Sequence, residues 1–228
     1  MILTSDQIDG LELAIKSADL LGIQVEPGER IADVALAVLT LPEVGPEPND
    51  RRATLRLRPV GRLAALLRHG AADDPAAVVE PFSIDELDGM VRRYSASPLI
   101  AWFFDSHAER LARWSKHSSL DWEKGDDGRS HTLFLVQDEG LGTLEIVIWF
   151  DELEVLDPSS QPVPIDAFIA GGRRWWAALQ SGDPRTRGHG IGVLREGKPR
   201  RRRSLLAIHL RISFRNPWRG SRGDGRDA

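Results

Sequence analysis

Apolar and polar positions along this chain follow two rhythms, one of about 3.6 residues and one of two, and each predicts its own kind of element. Ile8, Leu11, Ile15 and Ala18 recur at helical spacing behind Thr4 and Gln7, which fit a capping box, and Gly22 offers a stop. A first helix is predicted over about 5 to 21. IADVALAVLTL, residues 31 to 41, then has the apolar, β-branched character of a strand, closed by the triple-proline loop PEVGPEPNDR. In ATLRLR, residues 53 to 58, Leu55 and Leu57 alternate with Thr54, Arg56 and Arg58, as in a half-buried strand. The two together predict a long-looped hairpin. VGRLAALLRHG, which follows, suits a further strand and a short helix equally.

GAADDPAAVVEP, residues 70 to 81, predicts a small-residue loop. Ser83 and Glu86 form a second capping box ahead of Ile84, Leu87, Val91 and Tyr94, which predicts a helix from about 84 to 94. Pro98 breaks that pattern; LIAWFF predicts a buried strand, and DSHAERLARW a short helix capped by Asp105. Two alternating runs, His131 to Val136 and Thr143 to Phe150, flank the turn QDEGLG and predict a hairpin. Leu144, Ile146, Ile148 and Phe150 share one face, while Glu145, Val147 and Trp149 leave the other only partly polar, so some cover over it is expected. PIDAFIAGGRRWWAALQ predicts a helix with Ile165, Phe168, Gly172, Trp176 and Leu179 on one stripe. Its Gly171-Gly172 pair costs about 1 kcal/mol per residue in helix propensity, which calls for a compensating close approach, most simply of the helix to a sheet. SLLAIHLRISF fits period two and predicts a last strand before the flexible end RGSRGDGRDA.

The fold class expected is α+β, a mostly antiparallel sheet of hairpins with several packed helices and a flexible basic C-terminus. The expected organisation is a body over 1–194, with a candidate sub-boundary near 70–81, followed by a basic strand and tail over 195–228.

Composition agrees with a folded chain: hydrophobic residues make up 41% and charged residues 28%, ordinary globular values. Cysteine is absent, which removes disulfides, thiolate nucleophiles and cysteine-ligated metals. The N-terminus MILTSDQIDGLELAIKS carries acids and a cap where a signal peptide would carry a basic and then an apolar region, and no apolar run approaches the ~18 residues of a membrane span. A cytoplasmic protein with no membrane partner is expected. The net charge of −4 hides an asymmetry, for residues 1–194 sum to −12 and residues 195–228 to +8. The basic residues are 26 arginines and four lysines, a compositional bias before it is a functional sign.

Several places carry candidate chemistry. Arg200, Arg201, Arg202 and Arg203 stand directly before the last alternating run and can attract phosphates without reading bases. The same run can also be a solvated edge, or dock on an acidic surface. Adjacent Trp175 and Trp176 cannot both face one core, because successive helical residues diverge by about 100°. With Trp176 inward, Trp175 beside Arg173 and Arg174 would line a groove or a partner surface. The loop SGDPRTRGHGIG sets Arg185, Arg187 and His189 among glycines able to admit an anion, but it lacks the GK[ST] ending of a phosphate-binding loop. Asp105, His107 and Glu109 lack the spacing of a compact metal site. The carboxylates Asp151, Glu152, Glu154 and Asp157 cluster after the hairpin, and no GxSxG marks a serine nucleophile.

Three functions follow as expectations. The first is a binding protein that meets a protein or another acidic partner through a Trp/Arg surface and the basic extension. The second is a hydrolase-like enzyme using His131 or His189 with a nearby carboxylate. The third is non-specific nucleic-acid binding through residues 198–203. None implies a metal or another cofactor, and the oligomeric state stays open.

Overall fold

The computed structural model describes residues 2–70, 77–94, 98–104, 118–138 and 142–187. In chain order the elements are helix α1 (Ser5–Ala14), strands β1 (Asp19–Glu26), β2 (Ile31–Ala37), β3 (Arg52–His69) and β4 (Val78–Val79), helix α2 (Leu87–Arg93), strands β5 (Ala101–Phe103), β6 (Leu120–Trp122), β7 (His131–Asp138), β8 (Gly142–Leu156) and β9 (Pro162–Val163), and helix α3 (Ile165–Ser181). All strand pairings are antiparallel. The α+β expectation therefore holds as a large antiparallel sheet with three α-helices among the described residues. Met1–Arg187 forms one compact unit. Residues 188–228, with the predicted last strand, lie outside the described residues, as does the predicted helix over DSHAERLARW.

Two long strands organise the sheet, whose order is β1-β2-β3-β8-β7-β5. β3 pairs with β8 from Thr54↔Leu156 to His69↔Gly142, with a register shift between Val60 and Leu63. The first half of β3 also pairs with β2, and its second half with β6 and β4. One strand thus changes neighbours along its length, which is why VGRLAALLRHG looked ambiguous: it continues β3 where both faces are covered, so alternation is lost. Val60, Leu63, Ala65 and Leu67 join the main core beneath the helices, whereas Ala64 and Leu66 join Phe134, Val147 and Trp149 on the opposite face. The cover expected over that second hairpin face is there, for Glu145, Val147 and Trp149 are all buried.

The helices depart from expectation in two ways. α1 stops at Ala14 instead of near 21, Ser17 takes a left-handed φ of 60°, and Asp19–Glu26 becomes an edge strand. Gly22, expected to stop the helix, lies inside β1, where a Cβ would stand 2.6 Å from the Asp88 carboxylate that accepts the Ile23 N–H. In α3 the buried positions are Phe168, Ile169, Gly171, Gly172, Trp175 and Ala178, which share only Phe168 and Gly172 with the predicted stripe, so its inward face is turned by roughly half of the 100° step between neighbours. The Gly171-Gly172 pair does mark a close approach, but to α1 and to the 38–41 segment instead of to a sheet.

Candidate functional site

The segment that leaves β2 crosses α3 before it returns as β3, and it is tied there by the backbone. Leu41 N–H donates to the Gly171 carbonyl at 3.1 Å, and Arg174 Nε donates to the Leu41 carbonyl at 2.9 Å. Gly171 allows this, for a Cβ there would already stand 3.3 Å from Thr40 Cβ. On the other side, β9 pairs with the end of β8 through Val155↔Val163 and delivers Pro164 to the start of α3. Between these walls lies an open groove of about 280 Å³. Val38, Leu41, Ala53, Val155, Val163, Ala167 and Phe168 give it an apolar lining, with Pro42, Pro48 and Pro158 at the margins. Its polar groups are few, and few polar groups over an apolar lining is the usual composition of a ligand pocket.

Those polar groups differ in what they already hold. Asp50 takes Arg52 Nε at 2.9 Å and Nη2 at 2.6 Å, and this pairing holds its carboxyl down at about 2. Asp157 accepts the Ser159 and Gln161 N–H groups at 2.8 and 2.9 Å and so closes the turn into β9. Arg174 is different. Its Nε is anchored on Leu41, and among the described residues no carboxylate comes within ion-pair distance of its guanidinium. A half-buried arginine in this state keeps donors for an anion.

Of the arginines and tryptophans singled out from sequence, Arg174 alone lines this groove, and of the clustered carboxylates Asp157 alone does. Arg173 is exposed and borders a second depression, of about 320 Å³, with Thr4, Asp6 and Asp166. Trp175 is fully buried and Trp176 half-buried, the reverse of the expected orientation. The reason is the rotation of α3: Trp176 Nε1 donates to the Leu13 carbonyl at 3.1 Å, and its ring carries Lys16 Nζ at 4.5 Å, so it seals the α1 contact from outside. Trp175 therefore lines no surface. Arg185 is held by Asp183 through Nε and Nη2 and reaches the Gly45 carbonyl at 3.3 Å, while Arg187 is exposed. His189, Arg200, Arg201, Arg202 and Arg203 lie outside the described residues, as do Asp105, His107 and Glu109.

The carboxylates after the hairpin are not pooled. They sit on the extension of β8, where Asp151 takes Arg129 and the Ser130 N–H, Glu152 faces Arg58 at 3.7 Å, and Glu154 is in register with Arg56. His131 is buried in β7 and accepts the Leu3 N–H on Nε2 at 3.0 Å. Burial pushes its pKa down against the pull of Asp151. Its described hydrogen bond is thus a structural one.

Sequence reasoning missed the groove because it draws on three segments distant in the chain. Its only local signals were the proline-rich 42–51 loop and the glycine pair of α3. Among the described residues no group of three or more histidine and acidic side chains could hold a metal ion, and no helix is long and apolar enough to cross a membrane. Comparison with protein-family models, with curated proteins and with solved structures finds no match to this chain.

Proposed function

We propose that the protein acts by binding, with the groove between α3, the 38–53 segment and the β8–β9 turn as its ligand site. One observation carries this reading: an open apolar concavity whose bordering Arg174 has no carboxylate partner among the described residues. Burying apolar ligand surface there supplies the driving force, and the arginine supplies orientation. This replaces the Trp/Arg surface expected from sequence, since Trp175 belongs to the core. The hydrolytic reading draws no support from His131, whose Nε2 is engaged by Leu3. The nucleic-acid reading and the acidic-partner reading of the extension rest on residues outside those described.

The test is amide shift mapping by NMR with a neutral apolar probe, n-octanol. Saturable shifts confined to Thr40, Leu41, Ala53, Val163 and Ala167 are expected. Shifts that are absent, or scattered over the surface without saturation, overturn the assignment.

A further inference from the structure

Resting on the groove as a binding site, we infer that its ligand is a small amphiphile with a carboxylate head and a short apolar tail, the head received by Arg174. Charge is the first argument. Of the two acids on the rim, Asp50 is neutralised by Arg52, while Asp157 keeps its charge but turns Oδ1 into the N–H groups of its own turn. Of the three arginines that line the groove, Arg51, Arg52 and Arg174, Arg52 is spent on Asp50, and Arg174 keeps donors beyond its bond to Leu41. Its planar fork matches a carboxylate with two parallel hydrogen bonds, and the Nε anchor on Leu41 fixes the plane before the ligand arrives. Preorganisation of this kind cuts the entropic cost of binding.

Size and lining give the tail. At about 280 Å³ the groove is at the small end of ligand pockets, and its interior side chains are aliphatic apart from Phe168. A short alkyl or branched aliphatic chain fits that lining; a polar or extended ligand would leave its own groups unpaired there. The groove is open to solvent along one side, so the head group stays partly hydrated. Affinity is then expected to rise about three- to fourfold per added methylene until the groove is filled, from the usual transfer free energy of a methylene. It is also expected to weaken with added salt.

The experiment compares octanoate, n-octanol and octylammonium on the intact chain by NMR titration, with Arg174→Gln and Ala167→Phe alongside. Octanoate should bind more tightly than octanol by on the order of tenfold, with octylammonium weakest. Arg174→Gln should bring octanoate down to octanol. Ala167→Phe, at an exposed position that a larger side chain fills without entering the core, should abolish both. Equal binding of all three probes in the groove overturns the carboxylate class and leaves the groove standing. No saturable shift from any probe overturns the groove and this inference together. Should Arg174→Gln lose its fold with its Leu41 anchor, the ranking of the three probes on the unaltered chain still decides.

Discussion

Gly172 of α3 lies directly against Ala14 of α1, so close that a Cβ built on Gly172 would stand 2.6 Å from the Ala14 Cα and 2.8 Å from its Cβ. The two helices meet backbone to backbone at this point. Helix propensity alone would make Gly172→Ala stabilising by about 1 kcal/mol. Overpacking against backbone, which cannot swing aside as a side chain can, costs more, so a net loss of about 2 kcal/mol is expected. Urea unfolding of the variant checks this, and a raised midpoint would show that the helices separate freely.

His131 sets a pH dependence whose sign follows from its burial. Its folded pKa is lowered by desolvation, outweighing the attraction of Asp151. In the unfolded chain it returns to about 6.5, so below that pH the unfolded state binds more protons than the folded one. Its contribution is therefore complete above about pH 6.5 and is lost as the pH falls toward the folded value. The urea midpoint should drop between about pH 7.5 and about pH 5.5, and drop less in His131→Gln, whose amide oxygen can still accept the Leu3 N–H. Asp126, Asp151 and Asp183, each lowered chiefly by hydrogen bonds, act in a separate and more acidic window, because their stabilisation is lost only as pH falls below the ordinary carboxylate range. Identical slopes in the two proteins above that window would assign the effect to another group.

Arg62 and Asp121 join β3 to β6 by a two-pronged pair, Nε to Oδ1 at 2.7 Å and Nη2 to Oδ2 at 2.8 Å, with both side chains only 12% exposed. The guanidinium also lies 5.0 Å from the centroid of the Trp149 ring. Asp121→Asn leaves a largely buried cation short of its counter-charge, which costs about 3 kcal/mol. Asp127, at 3.6 Å and half exposed, replaces it only in part. Replacing both partners by apolar residues should cost less than the single change, a comparison that a double-mutant cycle in urea measures directly.

How much of this was legible in the sequence depended on whether the cause was local. The capping boxes at Thr4 and Ser83 are complete in the structure because each uses residues three apart. The β7–β8 hairpin was equally clear, and its pairing runs without a shift from His131↔Phe150 to Asp138↔Thr143. β1 was hidden because its two-residue period is interrupted by a bulge between Leu20 and Gly22, and the glycine that looked like a helix stop is required by Asp88, 66 positions away. The short strands β4, β6 and β9 owe their existence to the long strands beside them more than to their own sequences. The groove was least legible of all, since Leu41, Val155 and Phe168 become neighbours only after the chain has folded. Arg174 was singled out for its neighbours Arg173 and Trp175, yet it lines the groove for a different reason, the carbonyl of Leu41.

The Trp175–Trp176 pair tests the rotation of α3 that places Arg174 on the groove. The rings meet nearly edge to face, with centroids 4.8 Å apart and planes at 76°. Trp175 is fully buried, and truncation to alanine should open a cavity and cost about 4 kcal/mol. Trp176 is half-buried and contributes one hydrogen bond to Leu13 and a contact with Lys16, so Trp176→Ala should cost about 2 kcal/mol. Rolling the helix by one residue, about 100°, would exchange these roles and carry Arg174 away from Leu41. Equal costs from the two truncations would mean that α3 has no fixed rotation, and the anion-binding geometry of Arg174 would lose its foundation.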